Sequence, residues 1–354
     1  MKDVFVSIRG RVLFNAESLN MTESVGNYVK HRRVPMMVRE DGNTYAVYFV
    51  PAVSGESIAH GLQRIISEKC KEATPPLPVC KLCEQGIFLK SSNNKVFKES
   101  FGSEPNGIDI EETIISKCVV EDIGGFLYAE KENIKRTSNF FTGYMIPVQE
   151  ALRNVVIEPQ LHNRYALGTK FVKDRGQMLY YVEIASSLYT FSLDVDTRYI
   201  GKLTFNVNNA GKQVINDKER KKRVEVLLDS VKMLLTENGF GAKKTRFLPI
   251  VDWESMVIAV SDKPWTVPSP FTTDYTERAK KKREKINYNT DVYIFKDGSF
   301  ESFVTEAKGE QNNKKGEESK ITKDMGYFES FVAETIDKIK ERVSGENQQT
   351  SGQT

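Results

Sequence analysis

The chain has 354 residues, 39% apolar and 28% charged, enough to bury a sizeable core and too polar on average for a membrane protein. Its longest apolar runs fall far short of the roughly 20 residues a spanning helix needs. The N-terminus MKDVFVSIRG lacks a signal-peptide core, so a cytoplasmic location with no membrane partner is expected.

Val4 to Phe14 reads as a strand, with Val4, Val6, Ile8, Val12 and Phe14 on one face and Ser7, Arg9 and Arg11 on the other. The long polar loop NAESLNMTESVGNYVKHRRVP follows and ends in Lys30, His31, Arg32 and Arg33, all able to donate to phosphate. MMVRE and NTYAVYFV then flank an Asp41-Gly42 turn, which marks a hairpin. In SGESIAHGLQRIISEKCKEA, Ser54 is placed to cap a helix whose inward stripe is Ile58, Leu62, Ile65 and Ile66, and Pro75 and Pro76 stop it. Residues 74–115, rich in Pro, Cys, Ser and Asn, look like an irregular insertion.

From Cys118 to Leu193 strands and long loops alternate, ending in a strand with Tyr189, Phe191, Leu193 and Val195 on one face. Asn216 or Asp217 caps a second helix with Val224, Leu227, Val231 and Leu234 inward and Gly239 at the C-terminal cap position. A basic loop, GFGAKKTR, leads to strands around Phe247 to Val260. A last helix is expected from about Lys320 to Val343, carrying Met325, Phe328, Val332, Ile336 and Ile339, and then a disordered tail. The order fits an α+β protein with a ferredoxin-like antiparallel sheet, helices on one face, and large insertions.

The net charge of +3 is too small to announce a nucleic-acid partner, so the distribution of basic residues matters more. They bunch in KHRR, IKR, KERKKR, AKKTR and ERAKKKREK; solvated surface is the simpler reading for the last and for most of KERKKR. GFGAKKTR matches no nucleotide-binding fingerprint, and its glycines with Lys243, Lys244 and Arg246 suit a non-catalytic phosphate cradle. Between Asp122 and Pro147, aromatic residues interleave with Lys131, Lys135 and Arg136, suited either to base stacking or to ordinary core packing. Cys80 and Cys83 have the gap of a zinc knuckle, but no second CxxC exists. Cys70, Cys80, Cys83 and Cys118 are therefore expected to be free thiols or a local disulfide, with no metal and no cofactor. The carboxylate pairs Glu121/Asp122 and Asp194/Asp196 read as exposed strand edges, and His31, His60 and His162 are scattered, so no catalytic set is expected.

Taken in order, RVLFNAESLNMTESVGNYVKHRR, VPAVSGESIAHGLQ, DIGGFLYA with KRTSNFFTGYMIP, LHNRYA and GFGAKKTRFLPI resemble the crRNA-binding backbone subunit of archaeal type I-A CRISPR Cascade, in the RAMP superfamily. The resemblance runs from about Arg9 to Val260. It implies an RRM-like palm with inserted finger and thumb elements, stacked copies of which hold crRNA for pairing with target DNA beside other Cascade subunits. Residues 1–260 would form this core, with a finger-like insertion at 74–115 and thumb-like hairpins at 124–180. A strand and helix extension (261–343) and the tail (344–354) would follow. It further implies phosphate contacts from Lys30, His31, Arg32, Ser54, Lys243, Lys244 and Arg246, a second RNA-facing loop at Lys135 and Arg136, and a conspicuous family histidine at His162. Related type III subunits cut RNA with an aspartate in the loop after the first strand. This loop offers Asn15, Glu17 and Glu23 instead, which argues against an RNA endonuclease; a transcriptional autoregulator is disfavoured by the lack of a helix-turn-helix pattern. Within the thumb-like region, Tyr128 to Gly143 is expected to be a mobile hairpin that clamps a neighbouring subunit, with Lys173 to Gly176 the next candidate.

Overall fold

A computed structural model describes residues 1–40, 42–105, 110–130, 133–164, 178–305, 318–323 and 326–345. The chain opens with β1 (Phe5–Glu17), β2 (Met21–Val25), β3 (Tyr28–His31), the hairpin strands β4 (Arg33–Arg39) and β5 (Tyr45–Pro51), and helix α1 (Gly55–Glu72). Short helices follow: α2 (Lys81–Glu84), α3 (Asn94–Phe101), α4 (Ile110–Lys117) and α5 (Val119–Gly124). Next come β6 (Phe126–Ala129), β7 (Asn133–Arg136), β8 (Phe140–Thr142), β9 (Val156–Arg164), β10 (Met178–Asp196) and α6 (Asp217–Thr236). The chain closes with α7 (Lys244–Phe247), β11 (Ile250–Ser261), α8 (Tyr275–Lys285), β12 (Asp291–Lys296), β13 (Ser299–Thr305), β14 (Glu318–Lys323) and α9 (Phe328–Ser344).

The alternation along β1 explains its central place. Val4, Val6, Ile8, Val12 and Phe14 are all buried, and they pack with Tyr189, Phe191, Leu193 and Val195 of β10 under the apolar stripes of α1, α6 and α9. The helices therefore share one face of the sheet, where burial of apolar surface provides the main stabilisation. The strands lie in the order β11-β1-β10-β8, each antiparallel to its neighbour, while α1 connects β1 toward β8 and α6 connects β10 to β11. β12, β13 and β14 continue the sheet outward from β11, so the chain after Ser261 extends this layer. On the opposite face Trp265, Val267, Tyr275 and Ala279 cover Val257, Ala259, Val292 and Ile294. No helix among the described residues is long and apolar enough to cross a membrane.

Two expectations about elements are corrected. Described residues of the segment from Tyr128 to Gly143 are packed: Tyr128 and Ile134, with Phe126 just before them, join Phe97, Ile110 and Ile114 in a small separate core, and Phe140 is buried in the main one. Its period-2 alternation is that of a half-buried hairpin, not of a clamp free of its own fold. The last helix begins at Phe328, because Glu318–Lys323 pairs with β13 as a strand. Met325, Lys131, Lys173 to Gly176 and residues 346–354 of the tail lie outside the described residues.

Hairpin β4/β5 forms a two-stranded sheet of its own. One face carries the cross-strand pairs Pro35/Phe49, Met37/Val47 and Arg39/Tyr45, and Met37 and Phe49 are each 70% exposed.

Candidate nucleic-acid interface

The segment after β1 is a junction. Asn20 Oδ1 accepts hydrogen bonds from Arg32 Nε and from the Ser54 backbone N–H, both at 2.8 Å. Next to it, Leu19 C=O accepts from the Ala242 N–H at 2.8 Å, which ties in the GFGAKKTR loop. Gly241 has φ +89°, and a Cβ there would stand 2.6 Å from Leu19 Cδ2, so glycine permits this approach. Gly239 acts through space as well: a Cβ would meet Ile65 Cδ1 at 2.6 Å, while the left-handed residue after α6 is Asn238, not Gly239. Three segments far apart in the chain thus meet at two residues.

Beneath the junction lies a buried polar network. Glu17 accepts from the Leu19 N–H (2.6 Å) and from Tyr189 Oη (2.8 Å), and it faces His31 Nε2 at 2.7 Å. His31 Nδ1 faces Arg32 C=O at 2.9 Å, so both ring nitrogens look at acceptors and only the imidazolium satisfies both. Burial opposes that charge, but the hydrogen bond and charge of Glu17 outweigh it and raise the His31 pKa. Glu183 accepts from the His31 N–H, Tyr28 Oη and Arg33 Nη2. Above the network a cleft of about 690 Å³ opens, lined by Tyr28, Lys30, Arg32, Arg33 and Glu183 among others. Lys30 and Arg33 are each roughly half exposed, paired only at their tips with Glu23 (3.1 Å) and Glu183 (2.7 Å).

A second group gathers on β9, β10 and α7. His162 stacks on Tyr180 at 5.1 Å and meets the edge of Phe247 at 5.6 Å, and its Nε2 is buried without a partner among the described residues. Arg246 donates to Tyr180 Oη at 3.2 Å and lies over the same ring, with its guanidinium still exposed. The LHNRYA and GFGAKKTR segments therefore converge on Tyr180. Lys243 starts α7 in the left-handed region at φ +56°. Lys244 donates to Glu237 C=O at 3.2 Å and to Asn238 C=O, and burial lowers its pKa.

Three of the residues expected to touch RNA, His31, Ser54 and Arg136, are enclosed by the fold. His31 is 2% exposed, with its ring enclosed by Glu17 and Arg32. Ser54 is buried as the N-cap of α1, its hydroxyl accepting from the Ser57 N–H at 3.4 Å. Arg136 is buried too: its guanidinium donates to Asp122 carboxylate and carbonyl, Lys202 C=O and Tyr199 C=O. Lys135, one residue earlier on β7, faces solvent. Consecutive strand residues point to opposite faces, so IKR supplies one surface cation and one core ion pair. Sequence reading overlooked Asn20, Tyr28 and Tyr180, ordinary polar and aromatic residues whose partners lie far away in the chain.

The four cysteines are free thiols, as one of the two expectations had it, whereas the carboxylate expectation is corrected. Cys80, Cys83, Cys118 and Glu121 are buried, and their ligand atoms all lie within 4.8 Å of one another. Cys118-Val119-Val120-Glu121 repeats the spacing of Cys80 and Cys83, with a carboxylate in the last place. Hydrogen bonds with the Cys118 and Cys83 thiols hold Cys80 well below the usual thiol range. Burial, with the charge of Cys80, pushes Glu121 up to about 8. Asp122 is equally buried and pairs with Arg136 and Arg223, while Asp194 pairs with Arg9 and Asp196 with Arg198.

The cleft thus sets Tyr28, Lys30, Arg32 and Arg33 on a mostly antiparallel α+β frame. Residues 8–280 match the family described as CRISPR-associated negative auto-regulator DevR/Csa2, and the chain belongs to that family. Two Saccharolobus solfataricus proteins are similar to it. CRISPR-associated protein Cas7/Csa2 1 is 38% identical across 83% of this chain and 89% of its own length. CRISPR-associated aCascade subunit Cas7/Csa2 2 is 35% identical across 75% of this chain and 81% of its own. CRISPR-associated protein Cas7/Cst2/DevR of Methanocaldococcus jannaschii is 28% identical across 78% and 88%. Chains of two CRISPR RNA-guided surveillance complexes align over 94% and 95% of this chain and 99% of each, with TM-scores of 0.47 and 0.49 and identities of 13% and 10%.

Proposed function

We propose that this chain is a backbone subunit of a type I-A Cascade complex, copies of which stack along a crRNA and hold it for pairing with target DNA. The observation that carries this reading is the junction at Leu19 and Asn20, which gathers three segments beside a cleft bearing Lys30, Arg32 and Arg33. Such a cleft suits a backbone of phosphates read without base specificity. Arg246, Tyr180 and His162 extend it with a stacking surface.

The strand order β11-β1-β10-β8 supports an RRM-like palm. The β4/β5 hairpin, with Met37 and Phe49 turned to solvent, takes the part of the thumb that reaches a neighbouring copy. Catalysis has no place in this reading. Glu17 is fully buried against His31 and Tyr189, so it offers no base to a bound RNA. The test is purification of the protein co-expressed with a CRISPR array. Protected RNA of discrete length and rods in electron micrographs are expected; a protein that stays monomeric with added guide RNA overturns the proposal.

A further inference from the structure

We propose that Cys80, Cys83, Cys118 and Glu121 hold a structural zinc ion that fastens the insertion lobe to the main core. The argument begins with two turns of similar build. Cys80 precedes α2 and Cys83 lies in it; Cys118 precedes α5 and Glu121 lies in it. In each, residues i and i+3 fall on one side of a helical turn, so each turn offers two ligands in the same direction. Pro78 C=O accepts from the Val119 N–H at 2.9 Å, which locks the two turns side by side.

The donor set fits a closed tetrahedral site. Zinc takes thiolate sulfur at about 2.3 Å and carboxylate oxygen at about 2.0–2.2 Å, which places ligand atoms roughly 3.3–3.8 Å apart. Ligand atoms already within 4.8 Å of one another need to contract only slightly. Three soft thiolates select zinc over magnesium or calcium, and the fourth position, filled by a carboxylate, leaves none open for water.

The surroundings supply what such a ligand set needs. Ser91 Oγ donates to Glu121 Oε2 at 2.7 Å and so orients the carboxylate. Three thiolates and a carboxylate leave excess negative charge around a divalent ion. Lys90, whose ammonium donates to Gly124 C=O at 2.7 Å, interacts with the charges of Glu121, Cys83 and Cys118.

The position gives the ion its purpose. The lobe built on Phe97, Ile110, Ile114, Phe126, Tyr128 and Ile134 has a core too small to order itself independently. The two turns lie between that lobe and α1, with Cys80, Cys83 and Cys118 inside the main core. An ion there ties residues 77–84 to α5 and holds the lobe at a fixed angle to the sheet.

Elemental analysis of the full-length protein, after dialysis against EDTA, should give one zinc per chain. A mercurial should release it into a chromogenic zinc indicator. Cys83→Ser should lose at least nine-tenths of the bound zinc, Ser91→Ala should weaken zinc affinity by about 10–100-fold, and Glu121→Cys should keep one equivalent. Cys70→Ser, outside the cluster, should leave the zinc content at one. Because Cys83→Ser can misfold, the wild-type zinc content and Glu121→Cys decide the matter. Metal-free wild type that refuses added zinc, iron in zinc's place, or a Cys80–Cys83 disulfide in the mass spectrum would each overturn the proposal.

Discussion

His31 shows how a residue placed among phosphate donors becomes part of the scaffold. Its ring bridges Glu17 and the Arg32 carbonyl, and its backbone N–H is taken by Glu183. A histidine whose folded pKa is raised above the ordinary 6.5 contributes stability that is complete below that value. The contribution fades as pH rises through the folded pKa, when the ring loses a proton that both acceptors need. Thermal unfolding followed from about pH 6 to about pH 9 should therefore show stability falling through that window. His31→Gln should remove that part of the slope and cost about 1–3 kcal/mol at the acid end, as a buried acceptor loses its donor. A slope identical in the two proteins would mean that the ring is neutral throughout. Arg136 is a parallel case: the sequence places it beside Lys135, but the fold puts it against Asp122, where only ion pairing makes a buried charge tolerable.

At the level of elements, the β4/β5 hairpin is the feature that its own fold does not explain. Exposed Met37, Tyr45, Val47 and Phe49 on one face contribute little to the stability of the monomer. Met37→Ser with Phe49→Ser should shift unfolding free energy by no more than about 0.5 kcal/mol per site. The same pair should shorten or abolish rods on guide RNA, read by negative-stain microscopy. Normal rods from a folded double variant would remove the hairpin from the subunit contact. The β6/β7 hairpin makes the opposite case, since Phe126, Tyr128 and Ile134 are spent on the lobe core and leave only its outward face, Lys135 included, for partners.

For the whole molecule, the small net charge and the proposed RNA contact are reconciled by segregation. Many cations are neutralised locally: Arg9 by Asp194, Arg220 by Asp3, Arg223 by Asp122, Lys280 by Glu301. Lys30, Arg32 and Arg246 remain accessible on two neighbouring surfaces of the β3-β10-β9 region. Replacing all three with alanine should weaken binding alike for every RNA sequence. It should also flatten the dependence of log K on log salt by roughly 0.7 for each lost single-strand phosphate contact. Unchanged affinity and slope in the folded triple variant would place the RNA elsewhere.

Periodicity alone marked much of this architecture. β1, α1, α6 and the buried stripe of α9 follow directly from runs of period 2 or 3.6, because local backbone geometry decides which residues share a face. The motif blocks likewise pointed to Lys30, Arg32 and Arg246, which the fold leaves accessible at the cleft and beside Tyr180. Periodicity carries no information about what covers a face, or which distant residue a polar group meets. The ring of His31 and the guanidinium of Arg136 were turned inward by partners from other elements. Cys80 finds Glu121 across 41 residues, through a pairing of turns that no local pattern records. Electrostatics acts through space, so the tertiary structure alone decided which charges stay at the surface and which hold the protein together.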